Sequence, residues 1–402
     1  MKYPAYFYKN LYWVFLLISL LLSCTGQQSK TEKTVELELS KAGQVYQWSA
    51  AEGAAFLNQM RENHTTPEAW QARAEEIRRQ TLLAVELHPL PEKCPLNPIL
   101  GEKRIFEGYQ VQNVAFESLS GVYVTGSIYS PTSAKDKLPG ILSPHGHWPK
   151  REDYGRYRPD VQNRCAAMAR LGAMVFTYDM VGYGQLEELG WRHDHPKTMK
   201  LQIWNSIRAI DFLISMGADP NRIACTGASG GGTQTFHLAA VDSRVSVSVP
   251  VVMISNRHFG GCICELGMPI HENKDFKTNN VEMTACVAPH PLLLVSVGTD
   301  ATETTPEIEY PNIKYIYELF DKPEMVENVH LPDDKHGYDF NKRAAVYPFL
   351  ARHLGLDLTM AKDAASLEEG IVIEDIEDLY PFDAKHPVPE NLIRDNDKVV
   401  WK

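Results

Sequence analysis

The length, composition and charge of the chain exclude several classes of protein. Its 402 residues, of which 44% are hydrophobic and 23% are charged, are typical of a globular protein and suffice for one large core with a small appendage. The formal net charge of −11 disfavours nucleic acid and anionic lipid surfaces as partners, because both repel an acidic protein.

The N-terminus has the pattern of a bacterial secretion signal. Residues 11–22 form an apolar run of 12 residues, which is shorter than the roughly 20 needed to span a bilayer. The run ends in Leu-Leu-Ser-Cys at 21–24, which resembles the lipobox of bacterial lipoproteins. We therefore expect a signal peptide over 1–23 and lipid attachment at Cys24, with a chance cysteine after an ordinary signal peptide as the alternative. The chain would then be secreted across the inner membrane and held in the bacterial envelope, in the periplasm or at the outer membrane, by the lipid alone.

A polar tether over 24–44 and a helical N-terminal extension over 45–103 are expected next. Apolar residues recur at helical spacing among many charged residues over 48–87. Four prolines between 89 and 98 then indicate a stiff connector.

From residue 104 onward, strand patterns alternate with helix patterns. Polar and apolar residues alternate over 111–118 and 122–130 around a Ser-Gly turn, which predicts an antiparallel hairpin. Further strands are predicted at 138–143, 173–179, 222–227, 245–253, 291–298 and 326–331, and helices at about 160–171, 199–216, 231–241, 308–320 and 341–354. This alternation favours an α/β fold with a mostly parallel sheet and helices on both faces. We assign this domain to 104–355, with an insertion around 255–285 and a C-terminal tail over 356–402 packed on it.

The segment Thr-Gly-Ala-Ser-Gly-Gly-Gly at 226–232 carries the strongest chemical signal. It places G-x-S-x-G between a predicted strand and a predicted helix, where a tight turn lifts a serine hydroxyl above the sheet edge. The pattern predicts Ser229 as a nucleophile and the backbone N–H of Gly230 as a donor to a developing oxyanion. An unreactive glycine-rich turn is the alternative. A phosphate loop does not fit, because no lysine follows the glycines.

A nucleophilic serine needs a histidine base and a carboxylate that orients the base, in the chain order serine, acid, histidine. His336 lies in a polar loop between the last predicted strand and the last predicted helix, and Gly337 follows it. Asp300 lies just after the strand predicted at 291–298, the expected position for the acid. Glu303 and Glu265 remain alternatives, since a carboxylate can reach the same ring from a neighbouring loop.

The loop Pro-His-Gly-His-Trp at 144–148 should supply the second oxyanion donor. Gly146 would let the chain turn so that the backbone N–H of His147 points at the substrate. His145 and His147 could instead form a metal pair. With the serine motif present, we expect no metal and no cofactor.

Three side chains near predicted strand ends are candidates for substrate contact: His145, Trp148 and Trp191. The two tryptophans could stack on a sugar ring, although buried core tryptophans would give the same pattern. His193 and His195 form a second such histidine pair, which we interpret as part of a solvated or substrate-facing loop rather than as a metal site.

Six cysteines follow Cys24. Cys225 lies within a predicted strand and is expected to be a buried thiol. Cys262 and Cys264 are separated by one residue, which is the wrong spacing for a zinc knuckle or a redox motif. We expect them to have a structural role, either local or linked to Cys286.

Over residues 104–355, the chain resembles the α/β-hydrolase superfamily, and within it bacterial acetyl xylan esterase-like and dienelactone-hydrolase-like proteins. The resemblance rests on the segments 145–148, 178–184, 219–223 leading into 227–231, 298–300 and 335–337. It implies a triad of Ser229, Asp300 and His336, with oxyanion donors at Gly230 and His147. Similar proteins include lipoproteins that break down polysaccharides.

The resemblance therefore implies a serine carboxylic-ester hydrolase, a carbohydrate esterase that removes acetyl or related ester groups from plant or algal polysaccharides, with a carbohydrate ester or small ester as the substrate. The N-terminal extension, the insertion and the tail depart from compact acetyl xylan esterases and leave the ester open. Two other functions remain: a serine peptidase of the prolyl-oligopeptidase-like type, and a surface-binding lipoprotein that has lost turnover.

Overall fold

The computed structural model describes residues 47–133, 137–148 and 155–401. The predicted signal peptide, Cys24 and the whole tether lie outside these ranges. No helix among the described residues is long and apolar enough to cross a membrane.

Two amphipathic helices open the described chain. Helix α1 (Ala50–Asn63) begins at a capping box, in which Ser49 accepts a hydrogen bond from the backbone of Glu52 and the Glu52 carboxylate accepts one from the backbone of Ser49. Helix α2 (Pro67–Ala84) has proline at its first turn, where the missing N–H costs nothing. Their buried faces join the main hydrophobic core through Leu57, Met60, Trp70, Ala74, Ile77 and Leu82.

A sheet of nine strands forms the centre of the molecule. The strands are β1 (Ile99–Phe106), β2 (Tyr109–Leu119), β3 (Val122–Ser130), β4 (Leu138–Leu142), β5 (Met174–Tyr178), β6 (Ala218–Ala228), β7 (Val245–Val251), β10 (Leu292–Val297) and β11 (Val326–Leu331). Their order is β1-β2-β3-β5-β4-β6-β7-β10-β11. The six neighbouring strands β5, β4, β6, β7, β10 and β11 pair in parallel. The predicted mostly parallel sheet and the antiparallel β2–β3 hairpin are confirmed.

Strand β1 was missed by the sequence interpretation, which assigned residues 99–103 to the helical extension. The strand lies at the edge of the sheet and pairs only with β2 among the described strands. None of its side chains is buried. Its half-buried positions are Ile99, Gly101, Arg104 and Phe106, a mixture of apolar and polar residues, so the strand lacks the apolar alternation by which strands are recognised.

Helices pack on both faces of the sheet, as the sequence predicts. They are α3 (Pro159–Arg170), α4 (Gln185–Glu188), α5 (Thr198–Ser215), α6 (Gly230–Val241), α7 (Ile263–Leu266), α8 (Asn280–Ala285), α9 (Tyr310–Leu319), α10 (Phe340–Leu354) and α11 (Ala364–Glu368).

Successive residues of β10 belong to different cores, since strand side chains alternate between faces: Leu292 and Leu294 pack in one core, Leu293 and Val295 in the other.

Two further segments pack around this body. The insertion after β7 contains α7, α8 and a small ladder of β8 (Glu272–Asn273) and β9 (Phe276–Lys277). The chain after residue 356 contacts the β2–β3 hairpin, where the backbone N–H of Ile393 donates to the carbonyl of Gly121 at 2.8 Å. The carboxyl ends of β4, β6, β10 and β11 open onto the candidate site.

Candidate active site

Ser229 lies in a strained turn between β6 and α6. Its backbone has φ 56° and ψ −124°, a conformation that side-chain-bearing residues rarely adopt, and α6 begins at the next residue. Two glycines make this turn possible: a Cβ atom would lie 2.5 Å from the carbonyl oxygen of Pro144 at Gly227 and 2.4 Å from it at Gly231. The turn therefore has the geometry of a nucleophile elbow.

His336 and Asp300 form a hydrogen-bonded pair. The ring Nδ1 of His336 lies 2.6 Å from Oδ2 of Asp300. The other carboxylate oxygen, Oδ1, accepts hydrogen bonds from the backbone N–H and the hydroxyl of Thr302, at 2.7 and 2.6 Å. Because an ionised carboxylate only accepts, Nδ1 carries the proton, which leaves Nε2 of the neutral ring free to act as a base.

The two alternative acids lie elsewhere. Glu303 is exposed and accepts a hydrogen bond from Arg257. The buried Glu265 accepts hydrogen bonds from the hydroxyl of Thr233 at 2.6 Å and the backbone N–H of Gly261 at 2.8 Å. Of the three candidates, the structure pairs Asp300 with the ring of His336.

Ser229 and His336 line one pocket together with the loop at 146–148. The lining consists of Gly146, His147, Trp148, Asp160, Val161, Arg164, Ala228, Ser229, His336, Gly337 and Tyr338. His336 is accessible from this pocket, with 45% of its side chain exposed, whereas its carboxylate partner is 11% exposed. The ring of His336 is therefore open to the pocket, whereas Asp300 is largely shielded from solvent.

Three polar lining residues were not assigned a role from the sequence. Arg164, on α3, donates from Nε to the hydroxyl of Ser143 at 2.9 Å and contacts the ring of Tyr338. The hydroxyl of Tyr338 lies 2.7 Å from that of Thr226, at the end of β6. Asp160 accepts a hydrogen bond from Arg158. Only Tyr338 could have been found by motif, because it follows the His-Gly pair at 336–337.

The two predicted oxyanion donors belong to segments in close contact. A Cβ atom at Gly230 would lie 2.3 Å from Cε1 of the His147 ring, and one at Gly146 would lie 3.3 Å from Cβ of Ser229. The start of α6 and the loop after β4 therefore pack together without space for additional side chains.

Two of the three predicted substrate contacts need correction. His145 is 1% exposed, and its Nε2 accepts a hydrogen bond from the backbone N–H of Met180 at 3.0 Å. Burial lowers the pKa of His145 to about 3, so the ring is neutral and ties two loops together. Trp191 is 3% exposed within the main core. Neither side chain can reach substrate.

Trp148 is the remaining candidate of the three. It is half-buried, lines the pocket, and stacks under the guanidinium of Arg158, whose Cζ lies 3.6 Å from the centroid of the ring.

A second group of side chains lies beside the pocket. His147 and His193 approach the disulfide between Cys262 and Cys264, and one ligand-type atom from each of the four residues lies within 4.8 Å of the others. Burial lowers the pKa of His193 to about 4. The expected local role of the two cysteines is thus a disulfide in this structure. Cys225 is a buried free thiol, as predicted, and Cys286 is also free.

Comparisons with known proteins place the chain in a family. No family model and no curated protein matches it. Methylesterase BT1017 is similar in structure, with a TM-score of 0.81 and 36% identity over 88% of this chain and 79% of that one.

Two more distant structures share the fold. A Bacteroides fragilis protein provisionally described as an acetyl xylan esterase has a TM-score of 0.51 and 15% identity, over 74% of this chain and 86% of that one. A CE15 glucuronoyl esterase from Teredinibacter turnerae has a TM-score of 0.51 and 12% identity, over 72% of this chain and 86% of that one. These two likenesses show the shared fold, and the similarity to methylesterase BT1017 confirms the expected resemblance to α/β-hydrolase-type esterases. The chain therefore belongs to the family of methylesterase BT1017, within the esterases of the α/β-hydrolase fold.

Proposed function

We propose that this protein is a serine carboxylic-ester hydrolase that removes small ester groups, methyl or acetyl, from carbohydrates. The observation that carries the proposal is that a strained Ser229 and the ring of His336 line one pocket, while Asp300 is hydrogen-bonded to that ring from behind the lining. A strained serine beside an oriented imidazole is the arrangement that activates a hydroxyl for acyl transfer.

In this mechanism, Ser229 attacks the ester carbonyl while Nε2 of His336 takes the hydroxyl proton. Asp300 holds the ring through Nδ1 and stabilises the imidazolium that forms. His336 then gives the proton to the leaving alcohol, and the acyl group stays on Ser229. Water, deprotonated by the same ring, attacks the acyl-enzyme and releases the acid.

The tetrahedral intermediates place negative charge on the former carbonyl oxygen. In the proposal, the backbone N–H groups of Gly230 and His147 bind that oxygen. Gly230 is the first residue of α6, where the N–H groups lack partners within the helix and the helix dipole favours an anion. Removing one such donor typically costs about 3 kcal/mol of transition-state stabilisation.

The substrate class rests on two kinds of support. Methylesterase BT1017 shares 36% identity with this chain and its name specifies a methyl ester, which favours methanol as one leaving group. Trp148 presents an aromatic side chain to the pocket, and such rings bind sugar faces well. Acetyl esters remain in the proposal because an acetyl group is equally small.

The test is release of methanol from methyl-esterified pectin and of acetate from acetylated xylan. We expect release from at least one polymer, and a loss of about 10⁴-fold or more in Ser229→Ala. Equal release by the variant would contradict the serine mechanism. Absence of release from both polymers by the wild type would contradict the substrate class.

Lipid anchoring at Cys24 is a further part of the proposal, supported by the lipobox-like residues 21–24. We expect Cys24→Ala to move the protein from the membrane fraction of the producing bacterium to the soluble fraction. A wild-type protein found only in the soluble fraction would contradict the anchor.

A further inference from the structure

Four side chains with zinc-ligand chemistry meet beside the catalytic pocket. His147 follows β4, His193 lies between α4 and α5, and Cys262 and Cys264 lie in the insertion after β7. Their ligand atoms lie within 4.8 Å of one another. We propose that, with both cysteines in the thiol form, these four residues bind one zinc ion.

The spacing of the donor atoms fits a tetrahedral ion. Zn–N distances near 2.0 Å and Zn–S distances near 2.3 Å, at a tetrahedral angle, place nitrogen and sulfur about 3.5 Å apart. Nε2 of His147 lies 3.0 Å from Sγ of Cys264 and 3.5 Å from Sγ of Cys262. Nε2 of His193 lies 3.6 Å from Sγ of Cys262. Once the sulfur–sulfur bond is broken, the two sulfur atoms must separate to about 3.8 Å to share one tetrahedral ion.

The ring of His193 is already oriented as a ligand. Its Nδ1 lies 2.8 Å from the carbonyl oxygen of Val181 and must donate to it, because a carbonyl only accepts. Nε2 therefore carries the lone pair and faces Cys262. Zinc-binding histidines commonly donate their other ring N–H to a backbone carbonyl in this way, which fixes the tautomer.

The donor set also fits zinc by charge. Two thiolates neutralise the two positive charges of Zn²⁺, and two neutral imidazoles complete a Cys₂His₂ set of the kind found in structural zinc sites. Cys264 is buried and the other three residues are half-buried. A site with no net charge has a smaller desolvation cost in such surroundings than a charged one.

The disulfide between Cys262 and Cys264 is the metal-free form of the same residues. A phosphine reductant supplies two electrons that break the sulfur–sulfur bond, two protons give two thiols, and the phosphine becomes its oxide by taking oxygen from water. When zinc binds, the two thiol protons pass to solvent.

A bound ion would connect three loops at the edge of the pocket. His147 also carries a proposed oxyanion N–H, and its ring packs against the Cα of Gly230. The ion would thus act as a positioning device for that N–H; this consequence rests on the proposed function, whereas zinc binding itself does not.

The experiment measures zinc content by inductively coupled plasma mass spectrometry. The mature chain is purified under a phosphine reductant, loaded with ZnSO₄ and desalted. We expect about one zinc per chain in the wild type, in Ser229→Ala, and in Cys94→Ser, which removes a free cysteine outside the group. The doubly substituted Cys262→Ser/Cys264→Ser should retain less than about a tenth of that amount. His193→Gln should weaken zinc binding by about 100-fold or more, since even outer partners of metal ligands contribute 10–100-fold.

A reduced wild type without zinc would overturn the proposal, and so would zinc retained by the doubly substituted variant. If that variant does not fold, the absorption spectrum of the reduced wild type with bound cobalt tests the site instead. A thiolate-to-cobalt charge-transfer band supports the site, and the absence of that band overturns the proposal. Because Ser229→Ala is inactive under the proposed function, its zinc content separates a failed metal site from a failed esterase assignment.

Discussion

Asp300 shows how one carboxylate can be fixed by its immediate sequence. Thr302, two residues later, donates two hydrogen bonds to Oδ1 and so leaves Oδ2 directed at the ring of His336. The side chain of Asp300 is only 11% exposed, so water competes little for the carboxylate. We infer that Asp300 selects the ring tautomer in which Nε2 faces the serine.

Asp300→Asn should lower kcat by about 10³–10⁴-fold, because an amide can donate to Nδ1 and favours the wrong tautomer. Glu303→Gln is the matched control and should stay within about threefold of the wild type, since Glu303 contacts Arg257 rather than the histidine. Steady-state kinetics on a chromogenic ester measures both. A loss confined to the Glu303 variant would contradict the assignment of the acid.

Residues within short motifs were predictable, and residues whose surroundings depend on the fold were not. Ser229 was predicted because its turn is specified by neighbouring glycines. His145 and Trp191 were assigned to substrate because both follow predicted strands, but burial depends on distant segments that pack over them. His193 contacts Cys262, although the two residues are 69 positions apart in the chain. Their positions in the sequence do not indicate that they lie close together in the fold.

At the level of elements, the turn from β6 into α6 depends on the loop after β4. The carbonyl of Pro144 sits against both Gly227 and Gly231, and Arg164 donates to that carbonyl at 3.4 Å. The turn at Ser229 and the loop after β4 therefore form one packed unit.

Gly231→Ala should lower the free energy of unfolding by about 2–3 kcal/mol. The added Cβ would lie 2.4 Å from the backbone oxygen of Pro144, and relieving that clash would require the backbone to shift. Gly261→Ala is the control: a Cβ there meets nothing within 4 Å, so its effect should stay within about 0.5 kcal/mol. Urea denaturation measures both. Equal stability of the two variants would contradict the close packing at the elbow.

The sequence predicted the buried parallel strands and the longer helices within a few residues, because each has a continuous apolar pattern or a helical period. Strand β1 was missed, since an edge strand with no buried side chain has no such pattern. The short helices α7 and α8 lie in the insertion, where capping by Cys262 and Asn279 rather than periodicity defines them.

The whole molecule should lose stability in mild acid through buried neutral histidines. Burial lowers the pKa of His237 to about 3 and that of His271 to about 4. The two rings lie 6.3 Å apart, and His271 also faces Glu265. Below pH of about 6.5 the unfolded chain gains protons that the folded chain does not, so stability falls as the pH drops towards the folded pKa values.

Each such histidine should contribute a slope of about 1.4 kcal/mol per pH unit between pH of about 6 and 4. In the wild type, Nδ1 of His237 donates a hydrogen bond to the carbonyl of Thr233, and His237→Asn keeps a donor near that carbonyl. This variant should reduce the slope of the unfolding free energy against pH by about 1.4 kcal/mol per pH unit. The exposed His290→Asn serves as the control and should leave the slope unchanged. Identical slopes for the two variants would contradict the neutral buried ring.

The central claim is that Ser229 is a nucleophile, and labelling with a fluorophosphonate tests it most directly. The reagent forms a covalent bond only with an activated serine, and peptide mass spectrometry locates that bond. The account predicts one adduct, on Ser229, which is lost in Ser229→Ala and slowed in Asp300→Asn. An unlabelled wild type, or an adduct on another serine, would contradict the account.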